Sequence, residues 1–147
     1  KNLFLSARAQ ARKIRLKNKT YFLGNQYTYP LAMYAAAKVQ EILGLDAHHE
    51  QIEQFSHMGL FSAKRGDTVI IFEQNNLHNK HLASQLKKLG LHVHNPSIKQ
   101  RDKISQVVFY TFVSQLVALN NAKSRRLEDC YFITEKKIRN VSSSMIY

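Results

Sequence analysis

DTVIIFEQNNLHNKHLASQLKKLGLHVHN, residues 67–95, carries three signals in succession. DTVIIFE (67–73) is a β-branched apolar run, the pattern of a buried strand. After it Asn75 or Asn76 stands where a helix cap belongs, Leu82, Leu86 and Leu89 form a stripe, and Gly90 is a stop. LHVHN then reads as a second strand, closed by the Asn95-Pro96 turn. His92 and His94, alternating around Val93, are the polar face of that strand. Strand, helix and strand at this spacing make the crossover unit of a parallel sheet. The spacing therefore predicts an α/β fold: a three-layer sandwich with a short parallel sheet of three to five strands flanked by helices.

Upstream, TYFLG (20–24) is a short apolar strand closing on glycine, and Pro30 is favoured at a first helical position. From Pro30 to about Leu43, Ala32, Ala36, Val39 and Leu43 share one stripe and Gly44 terminates it. Tyr34, Lys38 and Glu41 fall on the opposite side. Residues 46–66 are polar and histidine-rich, a short strand or loop followed by a short helix. Residues 103–121 are apolar nearly all round (Ile104, Val107, Val108, Phe112, Val113, Leu116, Val117), which predicts a buried helix. From Glu128 onward no periodicity stands out, and the segment is expected to be a tail packed over the surface. At the other end Phe4, Ala7, Ala11 and Ile14 make a helical stripe expected to end near Lys19-Thr20. That helix starts at full stride and without a methionine, so the chain reads as a piece of a longer polypeptide. The expected organisation is a connecting helix over 1–19 and one domain over 20–147.

The chain has 147 residues, 44% of them hydrophobic, enough for one packed core. No apolar run approaches the roughly 18 residues of a membrane span, and no leader pattern is seen, so no membrane partner and a cytoplasmic location are expected. The single cysteine, Cys130, excludes an internal disulfide and a multi-cysteine zinc site, and is expected to be a small buried residue. The net charge of +12 favours anionic partners. Eight basic residues and no acid precede Glu41, six of them between Arg8 and Lys19. No aromatic residues interleave that stripe for base stacking, so specific nucleic-acid binding is not expected. The histidine pairs (His48-His49, His78 with His81, His92 with His94) lack the acid or cysteine cluster that would complete a site, and no metal or other cofactor is called for.

A parallel sheet of this kind binds ligands beyond the carboxyl ends of its strands, near helix amino-termini. Gly24 ends one such strand, and the helix from Pro30 points free amides toward that crevice. GNQYTYP has one glycine, so the dinucleotide fingerprint is absent. Lys38 and Glu41, at i and i+3, suit either a solvated surface pair or an acid/base group with its electrostatic helper. Tyr27, Tyr29 and Tyr34 read as packing residues.

Four stretches then carry a resemblance. YFLGNQYTYPLAMYAAAKVQE, the QFSHMG that places His57 sixteen residues after Glu41, FYTFVSQLVAL, and the closing RNVSSSMIY keep the order and gaps of a sugar isomerase (SIS) domain. The sequence is most similar to the second SIS half of the glutamine–fructose-6-phosphate aminotransferase (glucosamine-6-phosphate synthase) family, over residues 20–147. The resemblance implies a phosphosugar-binding domain acting on a ketose or aldose phosphate such as fructose 6-phosphate. The alternative is a catalytically silent module that binds a sugar phosphate for regulation. Carried over by position, the proton-shuttling glutamate falls on Glu41, its helper lysine on Lys38 and the ring-opening histidine on His57. Gly24, Asn25, Ser142 and Ser143 fall at substrate-binding positions. One base reaching both C1 and C2 moves the proton, a lysine holds developing negative charge, and a histidine donates and accepts near neutrality. The chain departs from the family where its imine-forming lysine becomes Ser143, its second loop glycine Gln26, the acid before its histidine motif Gln54, and the Gly-Pro after that histidine Met58-Gly59. The family's phosphate-binding loop lies in its first SIS half, so the resemblance implies a homodimer or a first SIS half as partner.

Overall fold

The computed structural model describes residues 2–74 and 76–146. Four parallel strands, β1 (Thr20–Gly24), β2 (Ala47–Gln51), β3 (Thr68–Phe72) and β4 (His92–His94), form a sheet in the order β2-β1-β3-β4. β1 and β3 are buried along their whole length, as their continuous apolar runs require of a sheet covered on both faces.

Alternation along the strands sorts the two faces. Phe22, Ile70 and Phe72 meet Ala7 and Ala11 of α1 (Leu3–Ala11), Ala32, Ala36 and Val39 of α2 (Tyr29–Leu43), and Phe109, Val113 and Val117 of α6 (Lys103–Ser124). Tyr21, Leu23, Val69 and Ile71 point the other way. There they meet Ile52 of α3 (Ile52–Gln54), Phe55 of the π turn Phe55–Gly59 that leads to α4 (Leu60–Ser62), and Leu86 of α5 (Leu77–Lys88). The three layers are therefore α1/α2/α6, sheet, and α3–α5. Each of these large side chains contributes about 1.5–3 kcal/mol on burial. Aromatic pairing adds to the first layer: Phe72 stacks on Tyr110 at 4.9 Å and meets Phe22 edge-on at 5.8 Å.

Asn76 caps α5 by accepting from the Asn79 amide; Asn75, the other candidate, lies outside the described residues. Gly44 closes α2 with φ +63, a left-handed geometry that costs glycine little.

Four expectations need correction. The first helix ends at Ala11, not near Lys19, and Ile14 and Leu16 continue into the same core as an extended connector. α6 is not buried all round: Ile104 is 78% exposed and Val107 and Val108 face outward, while the polar Gln106, Ser114 and Asn121 are inside. The tail is not aperiodic, since residues from Tyr131 form α7 (Tyr131–Thr134) and α8 (Lys136–Ser144). α7 sets the Tyr131 ring against Gly44, whereas α8 buries none of its residues and leaves Ile138, Val141 and Met145 on one open face. Cys130, expected to be buried, is only partly so.

Candidate functional site

The connection from β1 leads through α2 to β2 on one side of β1, and the next strand, β3, lies on the other. The crevice between the carboxyl ends of β1 and β3 is thus the topological switch point, where open parallel sheets hold ligands.

Its floor is the turn from Gly24 to α2. The Asn25 amide donates to the Thr28 hydroxyl at 2.8 Å, and that hydroxyl and the Thr28 amide both reach the Asn25 carbonyl at 2.8 Å. Asn25 Oδ1 accepts from the Ile52 amide at 3.2 Å, tying the turn to the end of β2. A Cβ on Gly24 would stand 2.7 Å from the Thr28 carbonyl oxygen, so glycine is required there by space. Gln26 sits at φ +45, left-handed, where the family pattern has glycine. A non-glycine residue in that region costs about 1–2 kcal/mol.

One wall is the end of β3. Glu73 Oε2 lies 3.5 Å from the Thr28 hydroxyl, and Asn95, with its amide nitrogen turned inward, donates to the carbonyls of Ile71 and Glu73. The opposite wall is the start of α6. Tyr27 donates to Gln106 Oε1 at 2.7 Å, Gln106 Nε2 donates to the Arg101 carbonyl at 2.8 Å, and Lys103 Nζ lies 5.6 Å from the Tyr27 ring centre. Burial and the Glu73 carboxylate raise the Tyr27 phenol above its ordinary range, against the pull of its bond to Gln106. The same two influences raise Tyr110 behind it, with Tyr27 adding to them. The mouth thus pairs a carboxylate and amides, suited to sugar hydroxyls, with exposed Arg101 and Lys103, suited to an anion.

The residues singled out from sequence fall into separate groups. Gly24 and Asn25 are in this crevice. Lys38 donates to Glu41, but at the far end of α2, about 18 Å along the helix from Tyr29 at 1.5 Å per residue. The Glu41 side chain is 52% exposed there. Its hydrogen bond is the main cause that raises Lys38, which partial burial opposes. Cys130, the cap of the tail, lies close enough to act on Lys38 as well.

His57 is exposed in the π turn that follows β2, and no hydrogen bond or ion pair among the described residues joins it to Glu41. Gly59 of that turn packs on the Glu50 carboxylate, leaving no room for a Cβ. Burial raises Glu50, while His48 and His49 pull it back. Ser142 is partly buried and Ser143 exposed, both on α8. Tyr27, Tyr29 and Tyr34 do more than pack: their hydroxyls meet Gln106, His49 and Gln115. Glu73, Thr28 and Gln106 were not singled out from sequence. Glu73 carried a usable signal, an acid directly after an apolar strand run and hence at the carboxyl edge of the sheet.

Among the described residues no group of three or more His, Cys, Asp or Glu is placed to hold a metal, and no helix is long and apolar enough to cross a membrane.

No curated protein matches the sequence. Among solved structures the fold is similar to a glucosamine-6-phosphate deaminase from Thermotoga maritima (TM-score 0.74, 20% identity, 84% of this chain and 41% of that one). It is also similar to the C-terminal domain of glucosamine-fructose-6-phosphate aminotransferase from Francisella tularensis (0.61, 19%, 82% and 40%). A tagatose-6-phosphate ketose/aldose isomerase from Escherichia coli gives 0.63, 16%, 82% and 39%. At these identities the likeness is one of fold, and the chain spans about two fifths of the length of each of these proteins. The sequence itself matches the SIS domain over residues 13–96, more than half of its length. The chain belongs to the SIS domain family.

Proposed function

We propose that this chain is a phosphosugar-binding SIS domain that acts on a ketose or aldose phosphate such as fructose 6-phosphate, at a site completed by a second SIS unit. The observation that carries the reading is the switch-point crevice. There the Glu73 carboxylate and the Asn25–Thr28 turn offer partners to sugar hydroxyls, while Arg101 and Lys103 stand at the rim for the phosphate. The names of the similar structures, all of sugar-phosphate enzymes, agree with that ligand class.

In this reading Glu41 is the base that carries the proton between C1 and C2, Lys38 holds the charge that develops, and His57 assists ring opening. α2 keeps Glu41 away from the crevice of its own chain. A second copy of this chain, or a first SIS half, is therefore needed to present the sugar to Glu41, and a homodimer is the simplest such assembly. The regulatory alternative, a silent module, draws on two observations: Glu41 is spent in an exposed ion pair with Lys38, and Ser143, which cannot form an imine, stands at the imine-lysine position.

Thermal unfolding with fructose 6-phosphate, glucose 6-phosphate and glucosamine 6-phosphate tests the binding common to both. A rise in Tm with at least one sugar phosphate, reduced by Glu73→Gln, is expected. No rise with any of the three in the assembled oligomer would refute both readings.

A further inference from the structure

At the amino-terminal edge of the sheet, opposite the crevice, Arg12, Arg15, Asn120, Lys123 and Ser124 line a cavity of about 530 Å³. Three of the five are cations and none is an acid. α6 links the two ends: Gln106 stands at the crevice, and Asn120 lies fourteen residues on, about 21 Å away along the axis.

The cavity is held rigidly. Asn121, 2% exposed, accepts from the Leu16 amide at 2.9 Å and donates to the Ile14 carbonyl at 3.0 Å, and Arg125 donates to the Leu16 carbonyl at 2.9 Å. These bonds pin the connector that carries Arg12 and Arg15 against the last turns of α6.

Two helix carboxyl-termini meet here, α1 at Arg12 and α6 at Arg125. Cations at such ends have an ordinary use, offsetting the helix dipoles. That use does not account for Asn120. Its Nδ2 is shut off from water and, among the described residues, has no hydrogen-bond partner, an expensive arrangement for an amide donor unless an acceptor joins it.

We propose that this cavity is a second anion site, separate from the crevice, which takes the phosphoryl group of a small phosphorylated metabolite. Arg12 and Arg15 offer planar donor forks matched to phosphate oxygens, Lys123 adds a third positive charge, and a turn of the Asn120 amide supplies a neutral donor. The volume admits a phosphate together with a sugar-sized body. The convergence of the charges on one cavity, whose lining holds no aromatic residue for base stacking, favours a compact ligand over a nucleic-acid strand.

Amide NMR spectra and titration calorimetry on the full chain, with inorganic phosphate and glucose 6-phosphate at constant ionic strength, test this. Phosphate is expected to shift the amides of residues 12–16 and 120–125. Arg15→Gln and Lys123→Glu, both at exposed positions, should each weaken its binding about ten-fold or more. Asn120→Leu should raise the Tm of the free protein and weaken phosphate binding together. Three results would overturn the proposal: shifts confined to Asn25–Thr28 and Glu73, variants that lower Tm yet bind phosphate as the wild type does, or an oligonucleotide that binds this face more tightly than glucose 6-phosphate at about 150 mM salt.

Discussion

Gly24→Ala perturbs fold and candidate site through one methyl group. Gly24 does not adopt a positive φ, so alanine suffers no backbone penalty there, and the cost is purely one of space. The new Cβ would stand 2.7 Å from the Thr28 oxygen, 2.8 Å from its carbonyl carbon and 2.9 Å from the Tyr29 nitrogen. Relief of the closest contact to an ordinary distance near 3.4 Å needs a shift of about 0.7 Å. All three atoms are backbone, and Thr28 is fully buried and bonded back to Asn25. The first turn of α2 must therefore move as a unit against α6 and β1. Overpacking of this kind costs about 1–3 kcal/mol, and losing the Asn25–Ile52 bond adds about 1 kcal/mol. The expected loss in urea unfolding is about 2–4 kcal/mol, with unchanged m-value and a smaller Tm response to sugar phosphate. Gly44→Ala is the contrast. It pays a left-handed penalty of about 1 kcal/mol, and its Cβ meets a side chain, the Tyr131 ring, that can swing aside. A Gly24→Ala protein within about 0.5 kcal/mol of wild type would refute the argument, because the turn would then be free to yield.

The layers of the fold were legible because β1 and β4 are punctuated by the Gly24 and Asn95-Pro96 that end them, and β3 is marked by its β-branched run. Other segments failed for identifiable reasons. In residues 11–17 the stripe Phe4, Ala7, Ala11 and Ile14 suggested that the helix ran on, but Ile14 and Leu16 alternate with Arg15 and Lys17, a period-two pattern that fits an extended chain with one face on the core. In α6 hydropathy pointed the wrong way. Gln106, Ser114 and Asn121 go inside because each finds a partner there, at Tyr27 and Arg101, at Tyr110, and at Ile14 and Leu16, while Ile104 faces out. Polarity alone does not reveal a satisfied buried amide. In α8 the stripe Ile138, Val141 and Met145 has helical spacing, but it is short and diluted by serines. The crevice could be located from Gly24 and Pro30, since strand ends and helix starts are punctuated, whereas Glu73, Tyr27 and Gln106 meet only after β3 and α6 have packed around β1. Resemblance named Glu41 and His57 by position, although a helix running from Pro30 to Leu43 already puts Glu41 at the end away from the crevice.

Asn121→Ala strands the buried Leu16 amide and Ile14 carbonyl, each worth about 1–3 kcal/mol. A loss of about 3 kcal/mol in urea is expected, and one under about 1 kcal/mol would show that the clamp is not stabilising. His94 is held below its ordinary 6.5, chiefly by burial and further by His92 and Lys87. The unfolded chain therefore takes up this proton first, and stability falls as pH drops below 6.5. His94→Asn should flatten that fall between about pH 7 and pH 5.5, and an unchanged slope would exclude His94 as its source. The last expectation concerns Glu41. As a half-exposed partner of Lys38 at i and i+3, it contributes only about 0.3–0.5 kcal/mol to stability, so Glu41→Gln should fold as the wild type does. If Glu41 is the proton-carrying base, the same substitution abolishes solvent-deuterium exchange at C1 of bound fructose 6-phosphate while binding persists, since the amide keeps the shape and cannot take the proton. The exchange belongs to the assembled protein, because α2 holds Glu41 away from its own crevice, so dilution below the assembly concentration should silence it in the wild type too. Equal exchange in the two proteins, or none in either, would return Glu41 to the helix surface and leave the silent sugar-phosphate module as the reading that stands.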